Sequence, residues 1–570
     1  MRARLTLALT FALALGAPAS AAPRDEALRV APTDFALVVV VQNLRDHGTA
    51  VSESPFASWF PTSALGKQFL ASAAFKKITD ASTPIFATLG ITPTELLQDI
   101  VGDTLVFAYT PAPPGDAKAE RSVILVRPRK VELLVTVMDR LNDAQTKSKE
   151  LKALIPHKHA GETYFERQKP QGPSDFYCFR DGVFAFSSSE AEIKAVIDRD
   201  KSLPKDKTPV LVARMTKLGV TDAAAVLLVN PRSLDTEVAA KVKNAKPDER
   251  AFQTKFAEVW AATDSVAIYF TLDTGVELGV SVQFNTEKLP AHLKTWLAGE
   301  RTPSALWSVI PDDAMLAVAG RVKLNDLIDL LGLLPNAEGK PGVRETIEQA
   351  LGPIIGRDKL PLVLGAIGPD FGMWIMPPAP GTKNTVPVLV GGVKIEANGP
   401  KGAEVSKALL QSLEYGFQVG RVAYNVKHKD QIELREEKDG DVIIKSLSCE
   451  AFPAGFRPCF ALKGGYLLVS TSPDAIKSFR APTGEPKPGG DVPLARFNAT
   501  AARGYLASHS SALAKWLASA GAGDAQTLAE QLGGLGDVLE QFDKVELLSR
   551  GDATGAKLML RIKTAKPLKK

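Results

Sequence analysis

The sequence predicts an α+β protein of mainly antiparallel sheet with packed helices, arranged as two tandem homologous halves. Three observations carry that prediction. Apolar runs of strand length come in pairs joined by Gly, Pro or Asp-Gly turns. Stretches with helical spacing lie between the paired runs, without the strand–Gly-loop–helix alternation of a doubly wound fold. Four landmarks recur in the same order at separations of 267 to 283 residues.

The first landmark is Pro32-Thr33-Asp34-Phe35-Ala36-Leu37, matched by Pro311-Asp312-Asp313-Ala314-Met315-Leu316. In the second, Gly102-Asp103 and Pro369-Asp370 each open an apolar strand that ends in a Pro/Gly loop, Pro111–Gly115 and Pro377–Gly381. In the third, Cys178-Phe179 and Cys459-Phe460 each enter a hairpin, followed by Ser187–Glu190 and Ser470–Pro473 at helix starts. In the fourth, Asp264-Ser265-Val266 and Asp543-Lys544-Val545 begin the last hairpin of each half. A period this long is not a solenoid repeat. The expected organisation is an export signal at 1–21, a first half at 22–298 and a second at 299–570.

Residues 1–21 have the pattern of a cleaved signal peptide. Arg2 and Arg4 precede the uncharged run Leu5–Leu15, and Ala19-Ser20-Ala21 offers small residues at the cleavage site. The run is about half the ~20 residues a spanning helix needs. The chain is expected in the periplasm or outside the cell, with no transmembrane segment after cleavage.

Within the first half, Phe35–Val41, Thr104–Tyr109 and Ser122–Val126 are strand candidates. Leu134, Val137, Met138 and Leu141 have the spacing of one helix face. Asp181-Gly182 between two apolar runs predicts a type I′ hairpin. A longer turn is expected at Lys463-Gly464-Gly465. Ser189 and Ser472 are N-cap candidates, the latter followed by Pro473 at the first helical position. Long helices are expected over 234–261 and 525–541, and a helix break at Gly533-Gly534-Leu535-Gly536.

Composition restricts function. The 570 residues are 45% hydrophobic and 23% charged, as in ordinary globular chains. A net charge of +5 over this length gives no electrostatic footprint for nucleic acid. No Gly-x-x-x-x-Gly-Lys-Ser/Thr loop, Gly-x-Ser-x-Gly elbow, His-Glu-x-x-His or Cys-x-x-Cys occurs. Ser508-His509-Ser510 sets a His beside two hydroxyls, but adjacency in sequence does not orient a triad. His157-Lys158-His159 is the one paired His. On a strand both rings would share a side, with Glu162 or Glu166 to assist a metal; flanked by Pro156 and Gly161, the segment is expected to be an exposed loop. No catalytic, cofactor-binding or metal-binding residue is assigned.

Three cysteines are present. Cys178 and Cys459 fall in corresponding hairpin strands, which suits half-buried packing. Cys449 has no counterpart. An oxidising compartment permits a Cys449–Cys459 disulfide across an intervening Pro/Gly turn; three free thiols are the other reading.

Several segments together resemble a family of exported bacterial proteins that carry a domain of unknown function. They are Val40–Leu44 with Ser63–Lys67 and Ala73–Lys77, then Pro311–Arg321, then Gly465–Ser470 with the helix holding Ile476 and Lys477. The motifs are strands, turns and caps. The resemblance implies export and architecture and no activity or cofactor.

The expected function is a non-enzymatic envelope module for binding or structure, with another envelope protein or an apolar ligand as partner. The alternatives are a periplasmic carrier of lipid or another apolar molecule, and a hydrolase whose site is assembled from residues far apart in sequence.

Overall fold

The structure is a computed structural model. It describes residues 22–565 except 113–119, 203, 205–206, 274, 299–301, 332–341, 380, 397–401 and 520. The signal segment 1–21, the loop at Pro113-Pro114-Gly115 and the basic tail 566–570 lie outside the described residues. The class is α+β, 43% helix and 29% strand, and every strand pairing is antiparallel. By contacts the chain divides into two compact units. The first holds the chain up to Thr49 with Ser72–Ser233, and the second holds Ala50–Ala71 with Leu234 onward.

The first unit contains β1 (Leu37–Gln42), β2 (Thr104–Thr110), β3 (Arg121–Arg127), β4 (Ala153–His159), β5 (Glu162–Gln168), β6 (Asp175–Arg180), β7 (Val183–Ser187) and β8 (Ala225–Val229). They pair in the order β8-β1-β2-β3-β7-β6-β5-β4. Strand β1 is a run of Val in which Val38, Val40 and Gln42 are buried and their neighbours half-buried. The β6–β7 turn is the type I′ pair the sequence predicts, with Asp181 at φ 43° and Gly182 at φ 80°. The helix Val131–Lys147 buries Leu134, Val137 and Met138 against Val126, Tyr177 and Phe184. Its periodicity is therefore the periodicity of its contact.

The second unit contains β9 (Thr263–Leu272), β10 (Gly275–Phe284), β11 (Leu316–Arg321), β12 (Ile367–Met376), β13 (Val388–Ile395), β14 (Glu433–Asp439), β15 (Val442–Ser448), β16 (Cys459–Lys463), β17 (Tyr466–Ser470), β18 (Val492–Asn498), β19 (Phe542–Asp552) and β20 (Gly555–Thr564). They pair in the order β9-β10-β20-β19-β18-β11-β12-β13-β17-β16-β15-β14. The β9–β10 hairpin joins this ladder through β20, from Gly275↔Lys563 to Gln283↔Gly555. The contact boundary therefore falls before this hairpin, at Ser233. The sequence halves are drawn on likeness, the compact units on contacts, and the hairpin belongs to the first half and the second unit.

Several local expectations need correcting. The β16–β17 turn is no longer than its counterpart: Gly464 and Gly465, at φ 59° and 79°, make the same two-residue geometry as Asp181-Gly182. Gly533–Gly536 does not break a helix but lies inside Ala525–Leu539, where added Cβ atoms at Gly533, Gly534 and Gly536 would meet nothing within 4 Å. The long helix expected over 234–261 is two, Asp235–Lys243 and Pro247–Ala262, with Pro247 setting the second start. The side chain of Ser472 makes no cap bond. Ser470 Oγ instead accepts the Ser472 N–H at 3.1 Å, as Ser187 Oγ accepts that of Ser189 at 3.0 Å.

Candidate functional site

The paired histidines stand on a strand, not a loop. β4 is an edge strand, where Pro156 costs no ladder bond. His157 Nε2 lies 2.9 Å from Glu166 Oε2, and the ring stacks on Tyr164. His159 Nε2 lies 2.9 Å from Asp198 Oδ1. Glu162 pairs with Arg180 at 2.5 Å. Each imidazole thus has its own carboxylate, and among the described residues no group of three or more His, Cys, Asp or Glu could hold a metal. Glu166 is held below the usual carboxylate range by His157 first and by the Ser174 hydroxyl second. Ser508 and His509 lie in the helix Ala499–Ser519, where Ser508 Oγ donates to Gly504 O and the His509 ring stacks on Tyr505. Those bonds hold Ser508 and His509 to their own helix, not to each other.

All three cysteines are free, and the Cys449–Cys459 bridge is not formed in this structure. The register explains why. Ser446 stands opposite Cys459, so Cys449 is three residues further along. At ~3.3 Å per residue that is about 10 Å, beyond the ~7 Å Cα reach of a disulfide. Cys459 Sγ donates instead to Ser470 O at 3.4 Å. Cys178 faces Ala185 and Cys459 faces Ser470, so the two thiols share a strand type but not a position. Burial pushes both thiols up to about 12. Thiol titration is expected to find three groups in unfolded, unreduced protein. In native protein at pH 8, Cys449 should react promptly and Cys178 and Cys459 only on unfolding. A single titratable thiol after unfolding would restore the bridge.

What the sequence does not single out is one face of the second unit's ladder. From β9 to β19 the register aligns Phe270, Leu278, Leu560 and Leu547. From β18 to β17 it continues through Ala495, Val318, Met373, Gly391 and Val469. Strand alternation puts these nine residues on one face. None carries a charge or a hydroxyl. Near its β18–β17 end the row lies between two helix-covered strips. On one side Ile375 and Phe497 pack under the helices Ala499–Ser519 and Ala525–Leu539. On the other, Val393 and Leu467 pack under Leu360–Ala366 and Gly402–Asn425. The row between is a trough. Phe371, Met373, Val469, Leu278, Val280, Leu558 and Ile268 are 36–49% exposed. The opposite face is the more buried one, with Ala317, Ala319, Trp374, Val390 and Leu468 under 5%. Over β11, β12, β13 and β17 both faces are therefore apolar, unlike the usual antiparallel sheet with one polar face.

The first unit has a similar row, Leu227, Val39, Phe107, Ile124 and Phe186, on the half-exposed face of β8, β1, β2, β3 and β7.

Over β9, β10, β19 and β20, charges gather on the other face, where β10 meets β20. Arg561 donates to Glu277 Oε2 at 2.8 Å and to Asp491 Oδ2 at 3.2 Å. Arg550 Nε donates to Asp491 Oδ1 at 2.8 Å, and Tyr269 Oη donates to Glu277 Oε1 at 2.7 Å. Lys557 Nζ sits 4.3 Å from the Tyr269 ring centroid. Burial raises the Tyr269 phenol, with the Glu277 bond second, and burial lowers the Lys557 ammonium. The carboxylates are answered by arginines within the cluster, so it ties β9, β10, β19 and β20 to the start of β18. Its members come from five places in the sequence, which is why no motif announces it.

Two surface cavities of about 290 and 400 Å³ are lined chiefly by polar side chains, Gln145, Arg167, Lys169 and Asp175 around one, and Lys241, Asn244 and Glu249 around the other. In the first, Arg167 is already engaged with Asn142, Gln145 and Asp175.

No helix among the described residues is long and apolar enough to cross a membrane. No protein-family model, curated protein or solved structure matches the chain. The resemblance to exported bacterial proteins therefore rests on the quoted segments alone.

Proposed function

We propose that this protein is a non-enzymatic binding module of the cell envelope, working through the apolar trough. One observation carries the reading: a row of nine uncharged, apolar or small residues crosses nine strands, and its neighbourhood is 36–49% exposed. Contiguous apolar surface beyond a few hundred Å² marks an interaction site on soluble proteins. Export through the segment 1–21 is part of the same proposal.

We also infer that the two halves arose by duplication. The order β1-β2-β3-β7-β6-β5-β4 is repeated by β11-β12-β13-β17-β16-β15-β14, and β8 lies on β1 as β18 lies on β11. Fine contacts support it too. Ser187 Oγ donates to Ser122 O and Ser470 Oγ to Leu389 O, at 2.7 and 2.8 Å. Asn230 N donates to Ala36 O and Asn498 N to Met315 O, at 2.8 and 2.9 Å.

The binding reading is tested with N-phenyl-1-naphthylamine, whose fluorescence rises in apolar surroundings. Native protein is expected to enhance it saturably, and Met373→Glu to weaken the dye's affinity at least threefold with an unchanged circular dichroism spectrum. A folded wild-type protein that leaves the dye dark would end the reading.

A further inference from the structure

Resting on that reading, we infer that the trough of the second unit takes the two acyl chains of a diacyl phospholipid, laid across the strands. The dimensions point to hydrocarbon chains. Nine strands give eight spacings of ~4.8 Å, a floor about 38 Å long. Same-face neighbours along a strand are ~6.8 Å apart. Helices cover the flanking strips at the β18–β17 end, so the open floor there is one side chain wide. A floor that narrow suits an extended chain there and not the broad contact patch of a folded partner.

The chemistry points the same way. Protein hot spots are built on Trp, Tyr and Arg, with a polar rim to satisfy hydrogen bonds. The central row offers Phe, Leu, Val, Ala, Met and Gly, with no side chain that donates or accepts a hydrogen bond. Such a floor discriminates on hydrocarbon alone. At Gly391 the space of a Cβ is met by Val469 Cγ2 at 3.2 Å, and at Gly320 the missing side chain is replaced by the Phe371 ring, whose Cζ lies 2.7 Å from where a Cβ would stand. The trough is thereby kept shallow at one edge.

Length decides between one chain and two. A bilayer's hydrocarbon core of ~30 Å allots about 15 Å to each leaflet's chains. One chain would leave more than half of a 38 Å floor wet. Two chains, splayed in opposite directions from one headgroup, cover most of it.

The test incubates the full chain with phosphatidylcholine vesicles carrying pyrene-acyl phosphatidylcholine, then separates protein from vesicles by gel filtration. Pyrene lipid is expected to elute with the protein at about one per chain. Met373→Glu and Val469→Glu should each cut that uptake at least tenfold while the circular dichroism and urea midpoint stay at wild-type values. Val426→Glu, at an exposed turn position just past the end of the helix Gly402–Asn425 and outside the trough, should leave uptake unchanged. Naphthylamine binding without pyrene lipid uptake would overturn the phospholipid inference and leave the binding reading standing. Uptake of pyrene-labelled fatty acid but not of the two-chain lipid would overturn it as well. So would sedimentation showing that wild-type protein pairs through this face and that Met373→Glu makes it monomeric.

Discussion

Gly279→Val is expected to destabilise the second unit by about 3 kcal/mol, the sum of overpacking at ~1–3 kcal/mol and part of a bond to a charged acceptor at ~1.5–3 kcal/mol. Gly279 stands opposite Tyr269 in the β9–β10 pair. A Cβ there would lie 2.4 Å from Cε1, Cζ and Oη of the tyrosine. The ring is 3% exposed, and pushing it aside would break its bond to Glu277. Glu277 would then keep Arg561 but lose the phenol, and Lys557 would lose the ring beneath it. At ~2.1 cal/mol/K per residue, a unit of this size moves its midpoint by about 1–2 °C for each kcal/mol, so a fall of roughly 3–6 °C is expected in thermal unfolding. The cause is checked by a cycle with Tyr269→Ala. Once the ring is gone, Gly279→Ala should cost under ~1 kcal/mol, the ordinary range for an unobstructed site. If Gly279→Val unfolds at the wild-type urea concentration, the close approach of Tyr269 to β10 is wrong.

That pair also shows what a sequence can and cannot declare. Asp181-Gly182 is legible because its requirement is local: two successive positive φ angles that only a few residue pairs accept. The helix over Leu134, Val137 and Met138 is legible because its spacing repeats its contact. Gly279 and Tyr269 are ten residues apart in numbering and carry no local signal, since the need for glycine arises only when the two strands pair. The trough is hidden for a different reason. In Phe371-Gly372-Met373-Trp374 both alternating sets are apolar or small, so period-two reading finds the strand but not which face is covered. Cover is decided by helices more than a hundred residues away, such as Ala499–Ser519. The cluster of Tyr269, Glu277, Asp491, Arg550 and Arg561 is likewise assembled by strand pairing. The His157–His159 segment misleads because Pro and Gly near a polar stretch signal a loop, whereas an edge strand tolerates the same residues. Gly533–Gly536 misleads because glycine weakens a helix by about 1 kcal/mol per residue, which neighbouring contacts such as those of Leu532 and Leu539 outweigh.

Phe460→Ala is expected to cost about 4 kcal/mol, within the ~3–5 kcal/mol range of phenylalanine truncations in cores. Phe460 is 1% exposed and stands on β16 next to Val469, so it is the residue at which the open floor passes under cover. Its cover is Phe417 of the helix Gly402–Asn425, edge to face with ring centroids 4.9 Å apart and planes at 84°. Truncating Phe417, which is half-buried, should cost less. The double variant should reveal a coupling of roughly 0.5–1.5 kcal/mol, the worth of such a ring pair beyond its burial. The two kinds of floor substitution should then separate. Phe460→Ala lowers stability and lengthens the trough, so naphthylamine binding should persist in whatever fraction remains folded. Met373→Glu sits where the floor is open to water, so it should spare stability and remove binding. This opposition follows from burial alone, because a charge at a half-exposed position keeps its hydration whereas a cavity under a helix cannot be refilled. Urea melts giving less than 1 kcal/mol for Phe460→Ala would mean that the helix does not close this end of the sheet, and the trough would lose the wall that makes it narrow.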